Sequence, residues 1–600
     1  MSRSRDIADF LGKTEIANTA NNALLNAASS IDAGLDSAQV LAIAGGLTVY
    51  ATPNLLPTSG LSAGDQAFVT SNNRIYISNG SGWYNVALIN STPTFTSGPA
   101  GSYALATDLT PTVITLVAQD SDGQVVTYSG TPSGMDGIAT LSQDSSVFTV
   151  TPLTDSAGGN IGSFTITFQA TDGIGIASAL STFTLSFGPD WSATPTESRI
   201  IASDAQVSGY FGFSVSISSD SNYVIAGARN HTVSGFATAG AAYVYVRSGS
   251  TWTQQAKLVA SDPAESVDLG YATAINSDGT YAVVGAPNDD TGGTNKGSAY
   301  IFVRSGSTWT QQQKIQASDT ASDTGSLTFG EAVSISSDGS CVIIGAQWAD
   351  NGGTSDTGAA YVFTRSGSTW SQQAKLVASD ASTSSGFGYS VSINSDATYA
   401  AVGAFGDDTT SLNAGAAYIF TRSGSTWSQQ QKIVSPDLQA GDWFGRAISI
   451  NPDGSYVIVG SANADGGAAE NVGAAYVFTR SGSTWSQQAK LTASDAQTGD
   501  QFGQGVAINS DASYVIIGAM FEDGGAGDPA GAAGAAYIFE RSGSTWTQLR
   551  KLTSSISDAN YRFGMSVGIS SDASYVVVGE WLSHTGATID TGAAYIYEAG

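Results

Sequence analysis

The sequence predicts an all-β protein whose larger part is a seven-bladed β-propeller. Two observations lead to this prediction. From Trp191 onward, four short segments recur in a fixed order, about once every 60 residues. Each segment alternates apolar and polar residues and ends at a turn rich in Gly, Ser and Asp, as short strands do. Four such strands per repeat are typical of one propeller blade.

The repeat supports a count of seven blades. Examples of its four segments are FGFSVSIS at 211, YVIAGA at 223, AAYVYV at 241 and WTQQAKLVASD at 252. The first three segments occur seven times, but the fourth occurs only six times, from Trp252 onward. Trp191 and the RIIASD segment at 199–204 match the missing fourth segment. We therefore predict that a strand near 199–204 pairs with Ala593–Tyr597 and closes the ring, which removes two exposed sheet edges.

The remaining sequence suggests three further domains. Residues 1–45 have helical character over Thr14–Ser30 but little amphipathicity, so we expect an assembly segment that packs on a partner chain. Residues 46–91 form a small β module, in which RIYISNGSGWYNV predicts a hairpin. Residues 92–188 contain five strand-like segments separated by turns, which predicts an immunoglobulin-like or cadherin-like β-sandwich. The propeller then occupies residues 189–600.

Composition excludes several classes of function. The formal net charge is −28 and the basic residues form no cluster, which argues against nucleic-acid binding and against attraction to anionic membranes. No run of 18 apolar residues predicts a membrane span, and the first residues do not have the pattern of a secretory signal. Cys341 is the single cysteine, at a position where the other repeats have tyrosine, so we expect a packed thiol.

The repeat resembles a known family. The residues FG, VGA, GAAYVF and RSGSTWTQQAKL closely resemble bacterial FG-GAP repeats and, more distantly, the propeller of integrin α subunits. The resemblance covers residues 199–600 and recurs seven times. Integrin-type repeats often contain a calcium loop between the first two strands. Here that turn is as short as Ser277-Asp278-Gly279, too short to supply five oxygen ligands. We expect the turn aspartates to form Asx-turns instead.

The N-terminal third resembles a different group. MSRSRDIADFLG, VYATPNLLPTSGLSAGDQAFV and RIYISNGSGWYNVALINSTPTF are similar to tail-fibre or tail-associated structural proteins of marine tailed phages. This resemblance implies a virion protein that is made in the host cytoplasm, forms homo-oligomers and contacts other virion proteins through residues 1–45. The alternative is a bacterial surface or secreted adhesin. In either case, the expected partner of the propeller is a cell-surface glycan or protein.

The two faces of the predicted propeller differ in sequence. The Ser-Asp turns and RSGST turns are nearly the same in every repeat, whereas the loops after the second and fourth strands diverge. Divergence on a constant scaffold is typical of a recognition surface. Its candidate binding residues are aromatic rings, on which sugars stack, and two histidines. The rings could instead fill the taper between blades. The candidates are Trp348, Phe405, Trp443, Phe521, Trp581, His231 and His584.

Acidic residues recur in five of the divergent loops. Together with backbone carbonyls they could bind Ca²⁺, the one cofactor that the sequence suggests. The alternative is that they are solvated loop acids. The candidate calcium ligands are Asp289, Asp290, Asp350, Asp407, Asp408, Asp465 and Asp523, with Glu522 beside the last. The two histidines could similarly share a metal, or be solvated. Matches to the Gly-x-Ser-x-Gly pattern of a nucleophile elbow carry little weight in a sequence this rich in Gly and Ser, and there is no phosphate loop or zinc-protease motif, so we predict a protein that is not an enzyme.

Overall fold

The computed structural model of the chain describes most of the sequence after residue 47. The described residues are 48–50, 52–69, 74–86, 93–97, 102–105, 111–119, 125–133, 135, 139–152, 162–171, 181–187, 189, 191–192, 194–320, 325–408, 410–466, 469–523, 531–556, 560–586 and 588–599. They divide into an N-terminal unit that ends at Phe187 and a C-terminal unit that contains the repeats. The predicted assembly segment, residues 1–45, lies outside the described residues.

The N-terminal unit consists of short strands and one turn of 3₁₀ helix, Pro53–Leu55. Its strands form sheets in the orders β1-β2-β3-β4, β5-β8, β10-β11-β7 and β6-β13-β12-β9. The strands are β1 Thr48–Tyr50, β2 Ala63–Val69, β3 Arg74–Asn79, β4 Trp83–Val86, β5 Thr94–Ser97, β6 Ser102–Leu105, β7 Thr112–Thr115, β8 Val117–Gln119, β9 Thr127–Ser133, β10 Ala139–Asp144, β11 Val147–Pro152, β12 Gly162–Thr171 and β13 Ser181–Phe187.

The predicted hairpin after Arg74 is present. Strands β3 and β4 pair antiparallel, and the side chain of Asn79 accepts the backbone N–H groups of Ser81 and Gly82 at 3.0 and 2.9 Å. Further along the chain, two sheets share an apolar core in which the Phe148 and Phe168 rings are 5.0 Å apart, edge to face. This region is therefore β structure with a shared core, and its assignment as an immunoglobulin-like sandwich stays a prediction.

The C-terminal unit consists of seven four-stranded antiparallel sheets, which are the seven predicted blades. In each blade the strands are, from the axis outward, the inner, second, third and outer strands. Blade 1 contains β15 Phe211–Ile217, β16 Tyr223–Ala228, β17 Ala241–Ser248 and β18 Thr251–Leu258; blade 2, β19 Thr273–Ile275, β20 Tyr281–Ala286, β21 Ser298–Ser305 and β22 Thr308–Ile315; blade 3, β23 Val333–Ile335, β24 Cys341–Ala346, β25 Ala359–Ser366 and β26 Thr369–Leu376; blade 4, β27 Phe387–Ile393, β28 Tyr399–Ala404, β29 Ala416–Ser423 and β30 Thr426–Ile433.

The remaining blades follow the same plan. Blade 5 contains β31 Phe444–Ile450, β32 Tyr456–Ser461, β33 Ala474–Ser481 and β34 Thr484–Leu491; blade 6, β35 Phe502–Ile508, β36 Tyr514–Ala519, β37 Ala535–Ser542 and β38 Thr545–Leu552; blade 7, β39 Phe563–Ile569, β40 Tyr575–Glu580 and β41 Ala593–Glu598. The second and third strands are buried on both faces, because each sheet packs against a sheet on either side. This packing explains their almost continuous apolar sequence.

Blade 7 takes its outer strand from the beginning of the repeat region, as the sequence predicts. This strand, β14, is Thr196–Ile200, and it pairs antiparallel with Ala594–Glu598 of β41. It lies three to four residues before the predicted 199–204 segment. Trp191, just upstream, is fully buried, and its indole N–H donates to Ala573 O at 2.9 Å. Segments about 400 residues apart in the chain thereby complete one blade and close the ring.

The glycines of the FG and GA motifs allow the backbones of adjacent blades to touch. Gly270, in the FG position of blade 2, has φ +95°, and a Cβ there would lie 2.3 Å from Ala241 O of blade 1. Gly227, in the GA position of blade 1, would bring a Cβ within 1.9 Å of Gly270 O. A side chain at either position would collide with backbone, so the repeated glycines are needed for the blades to pack.

Candidate recognition face

One face of the propeller, which we call the constant face, consists of the turns between inner and second strands and the RSGST turns. In all seven blades the turn aspartate accepts the backbone N–H two residues later, at 2.8–3.0 Å. The predicted Asx-turns are therefore confirmed. The aspartates are Asp220, Asp278, Asp338, Asp396, Asp453, Asp511 and Asp572.

The RSGST arginines join neighbouring blades on the constant face. Arg304 donates from Nε to Gly279 O of its own blade at 2.6 Å, and its guanidinium lies 4.3 Å from the Tyr223 ring of the preceding blade. The same stacking joins Arg247 to Tyr575, Arg365 to Tyr281, Arg480 to Tyr399 and Arg541 to Tyr456. The constancy of this face thus has a structural reason, which leaves the opposite face free to vary.

Cys341 occupies the tyrosine position of this contact in blade 3. The thiol is buried, as predicted, and burial raises its pKa to about 12. Without a tyrosine to stack on, Arg422 of blade 4 lies 6.0 Å from the Trp427 ring of its own blade. Cys341 is therefore a packed side chain with a protonated, unreactive thiol.

The other face, which we call the variable face, consists of the loops between second and third strands and the connections between blades. These two kinds of loop are bonded to each other. Ser266 N donates to Ala237 O at 3.0 Å and Leu269 N to Ala239 O at 3.1 Å, so the connection into blade 2 lies along the blade 1 loop. Parallel bridges such as Gly240–Leu269 repeat this contact around the ring. The divergent loops thus form one surface.

A polar network from the KLVASD motif supports the variable face from beneath. Lys314 lies 2.8 Å from Asp262 and 2.7 Å from Asp289, and Tyr300 OH donates to both carboxylates at 3.1 and 3.0 Å. Asp262 follows the outer strand of blade 1, so the network joins two blades. Five further pairs repeat it: Lys257–Asp204, Lys375–Asp319, Lys432–Asp380, Lys490–Asp437 and Lys551–Asp495.

The structure separates the predicted calcium ligands into two sets. The first set is buried rather than exposed to solvent. Asp289, Asp407 and Glu522 occupy one repeat position, are only 3, 1 and 1% exposed, and each pairs with the lysine of its blade. Burial alone would raise the pKa of Asp289, but the Lys314 ammonium holds it below its usual range. These three are therefore neither solvated acids nor open ligands.

The second set of loop acids closes its own loops. Asp290, Asp350, Asp408 and Asp465 each accept a backbone N–H from five or six residues later in the loop, at 2.6–3.0 Å, and Asp523 is exposed. Within the described ranges, no three His, Cys, Asp or Glu side chains are grouped so as to hold a metal. The calcium prediction therefore has no support in the geometry.

The two histidines have different neighbours. His231 is 1% exposed, with Nε2 2.8 Å from Gln206 Nε2 and 3.2 Å from Asp204. Burial lowers the pKa of His231 below its ordinary value of 6.5, so the ring is neutral at pH 7. His584 is half-buried and packs edge to face on Tyr561. These contacts place His231 in the structural network of blade 1, and no metal shared by the two histidines is supported.

All five predicted aromatic residues are half-buried on the variable face, and four of them lie beside arginines. Arg446 lies 5.7 Å from the Phe405 ring and 5.6 Å from Trp443; Arg229 lies 5.9 Å from Trp581; Arg562 lies 4.1 Å from Phe521. Trp348 is half-buried in the blade 3 loop. The rings pack against neighbouring side chains, as expected if they fill the space between blades. They also keep accessible surface, as a binding role requires.

A set of residues that the sequence interpretation missed forms the opening of the central channel on this face. They are the third residues of the seven inner strands or their equivalents, immediately after the FG motif. We call this set the axial mouth: Phe213, Tyr271, Glu331, Tyr389, Arg446, Gln504 and Met565. The pattern was visible in the sequence, because this position differs between blades while the next residue is always Ser, Ala or Gly.

Contacts around the axial mouth connect successive blades. The Phe213 and Tyr271 rings are 5.0 Å apart, and Tyr271 OH lies 3.5 Å from Glu331 Oε1. Arg446 lies 4.4 Å from the Tyr389 ring, and its Nε is 3.5 Å from Gln504 Oε1. The seven inner strands therefore bring aromatic, amide, acidic and basic side chains together at one place.

Glu331 is the acidic group of the axial mouth. Gln347 Nε2 donates to both of its oxygens, at 2.6 and 2.7 Å, and Thr328 donates to it at 3.1 Å. Desolvation in the mouth raises the pKa of Glu331 to about 7, against the opposing effect of these hydrogen bonds and the charge of Arg446. At neutral pH this carboxyl group is therefore partly protonated.

The fold and these surfaces define a class of protein, a closed seven-bladed β-propeller with one constant and one variable face. The sequence model of the FG-GAP repeat matches residues 195–245, 252–302, 309–363, 370–420, 427–478, 485–539 and 546–597. The chain therefore belongs to the FG-GAP repeat family. Each match begins at the outer strand of one blade and ends in the third strand of the next, so the sequence repeat is offset from the blade.

Solved structures of other propellers are similar to this chain at low sequence identity. The WD40 repeats of RRP9 match with 10% identity and a TM-score of 0.42, covering 69% of this chain and 99% of that one. The periplasmic gluconolactonase PpgL of Pseudomonas aeruginosa matches with 13% identity and a TM-score of 0.39, covering 68% and 96%. No curated protein sequence matches the chain. Within the described residues, no helix has the length and apolarity to cross a membrane.

Proposed function

We propose that this protein is a non-enzymatic recognition protein whose propeller binds a cell-surface glycan or protein through its variable face. The observation that carries the proposal is the confinement of sequence divergence to that face and to the axial mouth. The constant face is occupied by Asx-turns and Arg–Tyr contacts between blades, whereas the variable loops rest on a repeated Lys–Asp–Tyr network. The network supports the loops without restricting the residues at their surface.

The chemistry of the variable face suits binding rather than catalysis. It presents half-buried aromatic rings beside polar loops, and such rings stack on the apolar faces of sugars or anchor protein partners. His231, one of the two histidines, is almost fully buried against Gln206 and Asp204. It thus contributes to the blade 1 network, which favours a structural role over general-base catalysis.

The position of the protein in an assembly is a second part of the proposal. We infer from the sequence resemblance that residues 1–45 attach the chain, as a homo-oligomer, to other proteins of a virion, with the β modules as spacers. The module at 92–188 would be the immunoglobulin-like or cadherin-like one. A bacterial surface or secreted adhesin is the alternative. Immunogold imaging of intact particles and of bacterial envelopes distinguishes the two locations.

Alanine substitution of two tryptophans tests the recognition face. We expect Trp348→Ala and Trp581→Ala to fold yet to bind a panel of bacterial cells more weakly, by about 1–3 kcal/mol for a ring at a binding hot spot. Cell binding is measured by sedimentation of the labelled protein, and folding by thermal unfolding.

A matched control is a tryptophan on an outer strand, away from the loops of the variable face. Trp427 is a half-buried ring on an outer strand, and its indole N–H donates to Gln373 of the adjacent blade at 3.0 Å. We expect Trp427→Ala to lower the melting temperature without changing cell binding. Parental binding by both loop variants, together with loss of binding on changing the RSGST turns, would place recognition on the constant face instead.

A further inference from the structure

Each blade contributes residues from three repeat positions to the surroundings of the axial mouth. These are the third residue of the inner strand, the residue just before the FG motif and the residue just after the GA motif. In blade 1 the last two are Tyr210 and Arg229, and in blade 7 they are Arg562 and Trp581. Tyr210 and Trp581 pack edge to face at 4.8 Å, and Phe213 and Trp581 at 5.7 Å. The channel opening is therefore surrounded by side chains that differ in every blade.

The basic residues of the repeat region are distributed unevenly. Eighteen lysines and arginines follow Trp191. Fifteen of them form ion pairs or donate hydrogen bonds within the frame of the propeller: the six RSGST arginines, the six lysines of the Lys–Asp pairs, Arg199, Arg550 and Lys296. The other three are Arg229, Arg446 and Arg562. Arg446 belongs to the axial mouth, Arg229 lies over its Phe213 and Tyr271 rings, and Arg562 occupies the repeat position before the FG motif of blade 7. None is ion-paired with a carboxylate of the described residues.

Each of these arginines lies over aromatic rings and forms no ion pair, although the charges of Arg229 and Arg446 act on Asp268 and Glu331. Arg229 lies 4.1 Å from the centre of the Phe213 ring and 5.3 Å from that of Tyr271, and Arg446 lies 4.4 Å from Tyr389. Stacking of this kind occupies the flat side of a guanidinium group and leaves its in-plane N–H groups for a planar anion. In a chain of net charge −28, these are the three basic side chains of the described repeat region that form neither an ion pair nor a hydrogen bond to the backbone.

Unsatisfied polar atoms surround the same opening. Arg229 Nε, Arg562 Nη1 and Trp581 Nε1 are buried donors that find no hydrogen-bond partner among the described residues. Gln347, which is 6% exposed and donates to Glu331, has no partner for its Oε1 in the same part of the chain. Buried polar groups in folded proteins are nearly always paired, so several unpaired groups at one place indicate a ligand that supplies their partners. The donors require an acceptor-rich ligand, and the rings require one with an apolar face.

We propose that the axial mouth binds an acidic saccharide, an oligosaccharide of uronic acids. Its carboxylates pair with Arg229 and Arg446, its ring faces stack on the aromatic side chains, and its hydroxyl groups bond Gln347, Gln504 and Glu331. This inference rests on the proposed recognition function and names its ligand class. An acidic peptide would satisfy the arginines, but it lacks the ring faces and hydroxyl groups that the other mouth residues match.

Calorimetric titration of the full-length protein tests the ligand class without any substitution. The probes are a galacturonate trimer, a mannuronate trimer and the methyl ester of each, with a tri-glutamate peptide for comparison. We expect at least one free acid to bind roughly tenfold or more tightly than its ester, because esterification removes the charge-assisted hydrogen bonds. We also expect its affinity to fall as salt is added. Equal binding of acid and ester, no binding of either acid, or tighter binding of the peptide would overturn the proposal.

Substitution of the arginines locates the site. Arg229→Met and Arg446→Met should each weaken binding of the acidic trimer roughly tenfold or more while leaving the weak binding of the ester unchanged. Arg304→Met is the matched control, because Arg304 stacks on Tyr223 at a similar distance but on the constant face. Arg229→Lys and Arg446→Lys keep the positive charge and serve if a methionine variant unfolds. Lysine cannot form two parallel hydrogen bonds with a carboxylate, so weakened binding is expected again.

The outcome distinguishes this inference from the proposed function. If the arginine variants bind the trimer as the parent does, while Trp348→Ala still loses cell binding, recognition by the variable face stands and the acidic-saccharide site is wrong. If no substitution on the variable face alters cell binding, both proposals fail together.

Discussion

The ring should depend on the strand that completes blade 7. We predict that a chain beginning at Gly209 folds far less stably than one beginning at Trp191. The shorter chain lacks strand β14, and the outward edge of β41, Ala593–Glu598, then has no partner. Exposed strand edges pair with other chains, so the shorter chain should also aggregate.

The size of the loss follows from what the missing segment buries. Trp191 is fully buried and Ile200 is 4% exposed. Removing a buried tryptophan side chain costs about 3–5 kcal/mol, and removing a buried isoleucine costs about 2–5 kcal/mol. The backbone hydrogen bonds to β41 contribute about 1 kcal/mol each. The loss is comparable with the whole stability of a typical domain, about 5–15 kcal/mol. We therefore expect no cooperative unfolding transition above room temperature for the shorter chain.

Calorimetry and size-exclusion chromatography of the two chains measure this effect. A matched control is Trp485→Ala, which removes an almost fully buried tryptophan (3% exposed) from an outer strand that its own hairpin keeps in the chain. It should lower the melting temperature without causing aggregation, because no strand edge is opened. Equal melting temperatures and equal elution volumes for the chains beginning at Trp191 and Gly209 would refute the closure argument.

Three further predictions concern buried ionisable groups. Lys314→Met should lower the free energy of unfolding in denaturant by about 3–5 kcal/mol, because it leaves the buried Asp289 without its lysine. Lys375→Met should lower it by only about 1 kcal/mol, because its partner Asp319 is more exposed. Equal losses for the two variants would contradict this reasoning. Burial raises the pKa of Glu580 from its ordinary value of 4.5 to about 7. The free energy of unfolding should therefore fall as the pH rises from about 4.5 to about 7, because the unfolded chain loses this proton first. Glu580→Gln should remove this pH dependence, so it should raise the melting temperature more at about pH 8 than at about pH 5. The buried thiol of Cys341 should react with a thiol reagent only after unfolding, and rapid labelling of the native protein would show that blade 3 opens.

Some of the sequence predictions succeeded because the repeat encodes local structure. Short runs of apolar residues, alternating with polar ones in the first and fourth segments and almost continuous in the second and third, predict the strands, and the Ser-Asp and Arg-Ser-Gly turns predict where strands end. The repeat array begins with one unmatched fourth segment and ends with three segments that lack a fourth, so Trp191 and its neighbours must complete the last blade. The bounds of β14 lie three to four residues before the predicted segment, because the strand ends at Ile200, which corresponds to Leu258, and the residues after Ile200 belong to the connection that follows.

The loop acids show where local patterns are insufficient. Asp289 and Asp290 are adjacent in sequence and both are acidic, yet one is buried against Lys314 and the other is exposed and closes a turn. Lys314 is 25 residues away on the outer strand, and only the folded blade brings it beneath the loop. A hydropathy pattern does not distinguish a buried, paired aspartate from a solvated one, because the pairing partner lies on another strand.

The sequence by itself determined the class of fold, the number of blades, the closure of the ring and the division into a constant and a variable face. All of these follow from a pattern that repeats along the chain. The tertiary structure alone decided what lies at the axial mouth, where Phe213, Glu331 and Arg446 meet although more than 100 residues separate each from the next. The reason is geometric: a closed ring brings equivalent positions of all seven repeats to one axis, so their side chains act together only once the ring has formed.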